Sequence, residues 1–190
     1  MAQNEKVELY NKAVEAYNLK QYDACVKLLE TYEKNYPPNE QTSSMKAFCH
    51  QTSKQYKLAE QFYQDAIRFS ENPARYYAQL AWMYHSMNDY DKRLKNMIRA
   101  VELDPGNARN QYDCGKFKHE ASQEIYATAI DNFNAALKVD PDFTDAYVER
   151  ALYYMTFGKF KKAMEDLLKA KTKGADVESY IEACKFELGE

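Results

Sequence analysis

Five aromatic residues, Tyr22, Tyr56, Tyr90, Tyr126 and Phe160, recur along the chain at intervals of 34, 34, 36 and 34 residues. Two further ladders keep the same register: Cys25, Ala59, Arg93, Ala129 and Ala163, then Tyr32, Ala66, Ala100, Ala136 and Ala170. A period of this length means one supersecondary unit repeated and stacked, because a single unit of that size cannot bury its own apolar face. The 190 residues therefore read as one elongated domain, 1–190, built of neighbouring units.

Within a period the apolar residues recur three and four apart. Val7, Tyr10, Val14 and Tyr17 mark one helical face, and Val26, Leu29 and Tyr32 mark the next. β-Branched residues are thin and no alternating run has strand length, so the chain is expected to be all-α, with two amphipathic helices per period. Pro37, Pro73, Pro105 and Pro141 punctuate the pairs. The resulting units are 6–39, 40–73, 74–107, 108–143 and 144–176. Small residues, Ala13, Ala47, Ala81, Gly115 and Ala151 on the first helix and the Cys25 ladder on the second, let the two helices of a pair approach closely. Val177, Ile181, Cys184 and Leu188 then form one face of a capping helix, 177–188, which covers the last apolar surface.

Two features break the pattern. The small residues of the first helix place their 36-residue interval one step later than the turn aromatics do. Two extra residues therefore lie between Gly115 and Tyr126, and KHEASQEI (118–125) should lengthen the first helix or its turn. Arg93 replaces a small residue at a helix crossing. Its stem is expected to pack along the crossing, with the head reaching water or a neighbouring carboxylate.

Composition excludes several roles. With 26 basic against 29 acidic residues the formal charge is −3, without a basic stripe, so neither nucleic acid nor anionic membrane is recruited by charge. No apolar run is long enough for a membrane span, and the N-terminal residues lack the pattern of a signal peptide, which reads as cytoplasmic. Cys25, Cys49, Cys114 and Cys184 lack CxxC spacing and read as small buried hydrophobes. There is no phosphate-cradling glycine loop, HExxH or GxSxG. His85 and His119 stand on adjacent units too far apart to share a metal without other ligands. No catalysis, metal or cofactor is expected.

The units resemble the tetratricopeptide repeat, a 34-residue helix–turn–helix. Tyr77, Leu80, Ala81, Tyr84, Tyr90, Ala100 and Pro105 occupy family positions in the third unit, as do Tyr147, Ala151, Tyr154, Gly158, Phe160, Ala163 and Ala170 in the last. The resemblance covers about 6–176. It implies a right-handed superhelix, an α-solenoid of about five units plus the cap, whose first helices line a concave groove that binds a peptide or helix of a partner protein. The groove residues so implied are Tyr10, Val14 and Tyr17, then Phe48, then Arg75, Trp82 and His85, then Arg109, Tyr112, Lys116 and His119, then Leu152. Phe48, Trp82 and Tyr112 are expected to act as anchors, because aromatics bury much area at little rotamer cost. Arg75, Arg109 and Lys116 should favour a ligand carboxylate.

The clamp by which some relatives hold acidic chaperone tails is not matched: Tyr10, Val14, Met45, Arg75 and Gln79 stand at its positions, and only Arg75 suits. The expected role is a non-catalytic scaffold or adaptor. A second reading is a chaperone sheltering a hydrophobic client segment in the same groove, and an end helix or the groove could also pair with a second copy as a homodimer.

Overall fold

In the computed structural model, which describes residues 2–121 and 123–190, every regular element among the described residues is an α-helix. The chain divides into two compact units, Met1–Asp89 and Tyr90–Glu190. The first holds α1 (Ala2–Asn18), α2 (Tyr22–Glu33), α3 (Glu40–Thr52), α4 (Tyr56–Phe69) and α5 (Ala74–Ser86). The second holds α6 (Tyr90–Leu103), α7 (Ala108–His119), α8 (Gln123–Ala127), α9 (Ala129–Val139), α10 (Thr144–Thr156), α11 (Phe160–Thr172) and α12 (Glu178–Leu188). None of the described helices is long and apolar enough to cross a membrane.

The turn aromatics Tyr22, Tyr56, Tyr90 and Phe160 are the first residues of their helices. Two residues before each, Lys20, Lys54, Asn88 and Gly158 take left-handed backbone, with φ of 59°, 58°, 57° and 66°. The next amide reaches back five residues in each turn: Gln21 to the carbonyl of Ala16, Gln55 to His50, Asp89 to Tyr84 and Lys159 to Tyr154. This bond satisfies carbonyls that a helix end would otherwise orphan, and three residues join the two helices at each turn. At the other connections, Asn39 caps α3 in a capping box with Thr42, and Asn107 caps α7 by accepting from the Asn110 amide.

The fourth period departs from this turn, as expected, but its first helix is not the part that grows. Helix α7 has 12 residues against 13 in α3, α5 and α10. The added residues form the separate short helix α8, which carries Tyr126, and α9 starts only at Ala129. Ser122, within the inserted stretch, lies outside the described residues.

Within the helix pairs α1 with α2, α3 with α4, α7 with α9 and α10 with α11, a small residue and a large one share the buried face. Leu29, Tyr63, Phe133 and Leu167 are fully buried, as are Ala13, Ala47 and Ala151. Burying such a side chain contributes about 1.5–3 kcal/mol before entropic costs. Gly115 marks the tightest approach: a Cβ there would lie 2.5 Å from the Phe133 ring. Arg93 is 1% exposed, so its head does not reach water. It donates to the Glu120 carboxylate at 2.6 Å and lies over the rings of Phe117 and Tyr90, at 4.4 and 4.7 Å. The aromatic faces and one carboxylate replace the solvent that a buried guanidinium would otherwise lose. At the C-terminal end Val177, Ile181 and Cys184 are buried against α11, as their spacing predicts for a cap.

Candidate functional site

The first helices of the two pairs in unit 1, with α5, enclose a groove of about 380 Å³. Tyr10, Val14 and Tyr17 line it from α1, Ser44, Met45 and Phe48 from α3, and Arg75, Tyr76 and Gln79 from α5. A second pocket of about 420 Å³ shares Tyr10 and Gln41 with it and extends the groove toward Lys6, Val7, Tyr32 and Asn39. Spacing explains the lining, since Tyr10, Val14 and Tyr17 stand on one side of α1 by helical periodicity. Their small neighbours Ala13 and Ala16 face the core.

The aromatic wall is ordered by ring packing: Phe48 lies edge to face at 5.4 Å from Tyr17 and 6.0 Å from Tyr22, and Tyr10 lies tilted against Tyr32 at 6.2 Å. Such pairs hold ring orientation as well as burying area. Gln41, Asn18 and Gln79 add exposed carboxamides at the rim. Each offers both a donor and an acceptor.

Arg75 is the charged residue lining the first of these pockets, with Lys6 in the extension, and Arg75 is already partnered. Its guanidinium donates to Glu40 at 2.6 Å, while the hydroxyls of Ser70 and Tyr76 donate to the same carboxylate oxygen at 2.8 and 2.9 Å. Partial burial works to raise the Glu40 pKa, but the hydrogen bonds from Ser70 and Tyr76 and the adjacent Arg75 charge outweigh it and leave the carboxyl below its ordinary value. A carboxyl so depressed contributes stability that is complete above its unfolded value of about 4.3 and is lost as pH falls through the lower folded value. Urea titrations at descending pH are expected to show unit 1 weakening below about pH 4.3. Glu40→Gln should flatten part of that slope; an unchanged slope would show that the carboxylate is not stabilised there.

Of the twelve residues expected from sequence, seven stand in unit 1 and five in unit 2. Tyr10, Val14, Tyr17, Phe48 and Arg75 come together in the groove of unit 1. Trp82 and His85 are half-buried farther along α5, packed edge to face at 5.3 Å, and do not line it. In unit 2, Tyr112 is only 6% exposed and packs on Phe143 at 4.9 Å, so its ring belongs to the core rather than to an open anchor. Arg109 donates to both carboxylate oxygens of Asp113 at 3.0 and 3.1 Å, and Lys116 pairs with Glu149 at 3.7 Å. His119 stacks on Tyr126 at 4.2 Å, and Leu152 is half-buried on α10. All three cations expected to await a ligand carboxylate thus have internal partners. Tyr76, Gln41 and Met45 are groove residues that the anchor reasoning passed over, although the inner-face spacing of α3 and α5 points to the neighbourhood of each. No group of three or more metal-ligating side chains occurs among the described residues.

Comparison with known proteins gives a consistent fold. Residues 74–107 and 144–172 match the family profile described as tetratricopeptide repeat. A small glutamine-rich tetratricopeptide repeat-containing protein 2 of Saccharomyces cerevisiae is 30% identical over 109 residues, covering 53% of this chain and 32% of its own length. Serine/threonine-protein phosphatase 5 of Mus musculus is 29% identical over 104 residues, covering 53% of this chain. The match spans only 20% of that phosphatase. Among solved structures, YrrB, described as a TPR protein with an unusual peptide-binding site, superposes with a TM-score of 0.73 at 19% identity, over 97% of this chain and 95% of its own. A MamA structure gives 0.75 at 17% identity, over 95% and 97%.

Proposed function

This chain belongs to the tetratricopeptide repeat family, and we propose that it works as a non-catalytic scaffold holding an extended segment of a partner protein in the groove of α1, α3 and α5. The observation that carries the reading is the lining itself: an aromatic and aliphatic floor, a rim of carboxamides, and one cation whose charge Glu40 already balances. A neutral floor of this kind favours apolar anchors over a carboxylate, since a charged ligand group would lose water without gaining a free counter-charge. Rim carboxamides match the alternating donors and acceptors of an extended backbone, which a helical ligand keeps to itself. The peptide-binding site named for YrrB supports the same assignment by analogy of fold alone. The phosphatase activity named for the mouse relative is not carried over, because the match spans a small part of that protein.

The test is selection of peptides from a random phage library on the intact chain, repeated with Ser44→Arg, which fills the groove without replacing a core residue. Loss of the selected binders by tenfold or more, about 1.4 kcal/mol, with an unchanged thermal transition, is the expected outcome. Peptides that bind the variant equally well would move the site elsewhere, and Trp82→Ala in parallel shows whether the rest of α5 takes part. The neutral floor also supports the second reading, a chaperone for an apolar client segment. That reading is favoured if the enriched peptides are uniformly apolar and bind without a defined register.

A further inference from the structure

Successive repeats meet through one recurring pair: a helix-B residue of the Cys25 ladder and the residue 24 positions later on the following first helix. In unit 2 this register brings the Arg93 guanidinium to 4.4 Å from the Phe117 ring, and puts Ala129 and Tyr153 in one buried cluster. In unit 1 it puts Ala59 and Met83 together in another. Where α2 meets α3, both members of the pair are cysteine. Cys25 and Cys49 are 0% and 1% exposed and share a buried cluster with Ala13, Ala16 and Leu29. Elsewhere the register pairs a small residue or an arginine with a large side chain, so two thiols facing each other are particular to this interface.

We propose that Cys25 and Cys49 are a reversible disulfide site that staples the second helix of the first repeat to the first helix of the next. The site is independent of the groove reading. Its oxidant is a small-molecule disulfide such as oxidised glutathione. The Cys25 thiolate attacks one glutathione sulfur, forming a mixed disulfide and expelling one glutathione thiolate; the Cys49 thiolate then attacks the Cys25 sulfur and expels the second. Two protein thiols are oxidised, one glutathione disulfide is reduced to two thiols, and the two cysteine protons end on the departing glutathiones. Burial makes the reaction wait on local opening of the α2–α3 contact, and it protects the bond once formed.

The intact chain is incubated with oxidised glutathione at neutral pH and, in parallel, at a urea concentration just below its transition, where alkylation confirms that both thiols are reached. After quenching, mass spectrometry is expected to find a product lighter by two hydrogens, with the Cys25 and Cys49 peptides linked and released by reductant. The link should persist in Cys114→Ser/Cys184→Ser. It should give way to a glutathione adduct in Cys25→Ser and Cys49→Ser. The linked chain should melt higher by roughly 5–10 °C. Glutathione adducts at Cys25 or Cys49 of the unsubstituted chain, without the link, would overturn the proposal, as would a link between any other pair.

Discussion

Arg150→Ala is expected to destabilise unit 2 by about 3 kcal/mol, the cost of breaking a buried ion pair from one side. The Arg150 Nε and Nη2 donate to the two carboxylate oxygens of Asp166 at 2.7 and 2.8 Å, and Nη1 donates to Asn134 at 2.8 Å. Asp166 is 3% exposed, so removing the guanidinium strands a carboxylate that water cannot reach. The fork geometry holds α10 against α11 with a fixed register, as two parallel bonds do better than one. Replacing both partners, Arg150→Met with Asp166→Leu, should recover most of the loss, because no buried charge is then left over. Urea unfolding of the single and double variants measures both effects. A single substitution costing under about 0.5 kcal/mol would class the pair with ordinary exposed ion pairs.

Gly115→Ala carries the second large effect, and its sign runs against intrinsic propensity. In a helix interior alanine is favoured over glycine by about 1 kcal/mol. Here the added methyl would meet the Phe133 ring at 2.5 Å, and that ring is fully buried. Overpacking of this kind typically costs about 1–3 kcal/mol, so after the propensity gain the net result is a loss of up to about 2 kcal/mol. The fifth repeat shows the compensating solution, Ala151 with Leu167, in the same relative positions. Gly115→Ala combined with Phe133→Leu is therefore expected to be better than the sum of the two single changes, with a coupling of about 1 kcal/mol or more. Strict additivity in a double-mutant cycle would show that the two residues do not share this contact.

The two cases mark what a reader of the sequence could see. The glycine was visible as a member of the small-residue ladder, and the structure adds the ring that makes it obligatory. The insertion after Gly115 was visible as a phase difference between two ladders. Its form was not, because a two-residue gain can extend a helix, widen a turn or, as here, create the short helix α8. Among the groove residues, Tyr10, Val14, Tyr17 and Phe48 followed from the family resemblance, which implies the inward face of each first helix. The pairing of Arg109 with Asp113 was open to helical spacing, since the two stand four apart on one helix. The pairing of Arg75 with Glu40 was not, because 35 residues separate them and only the packing of α3 against α5 brings them together. Tyr112 shares its register position with Tyr10, yet Phe143, from the connection before α10, covers its ring.

From its sequence alone this protein is a stack of helix pairs with known turns, because periodic spacing of apolar, small and aromatic residues is a local property that each repeat states again. Tertiary structure decided which of the inward residues remain open and which charges remain unbalanced. Exposure and ion pairing depend on neighbours distant in the chain, and those neighbours differ from repeat to repeat. The same ladder position is a cysteine facing another cysteine at one interface and an arginine between two aromatic rings at another. Periodicity places such residues, and only their packed surroundings give them their chemistry.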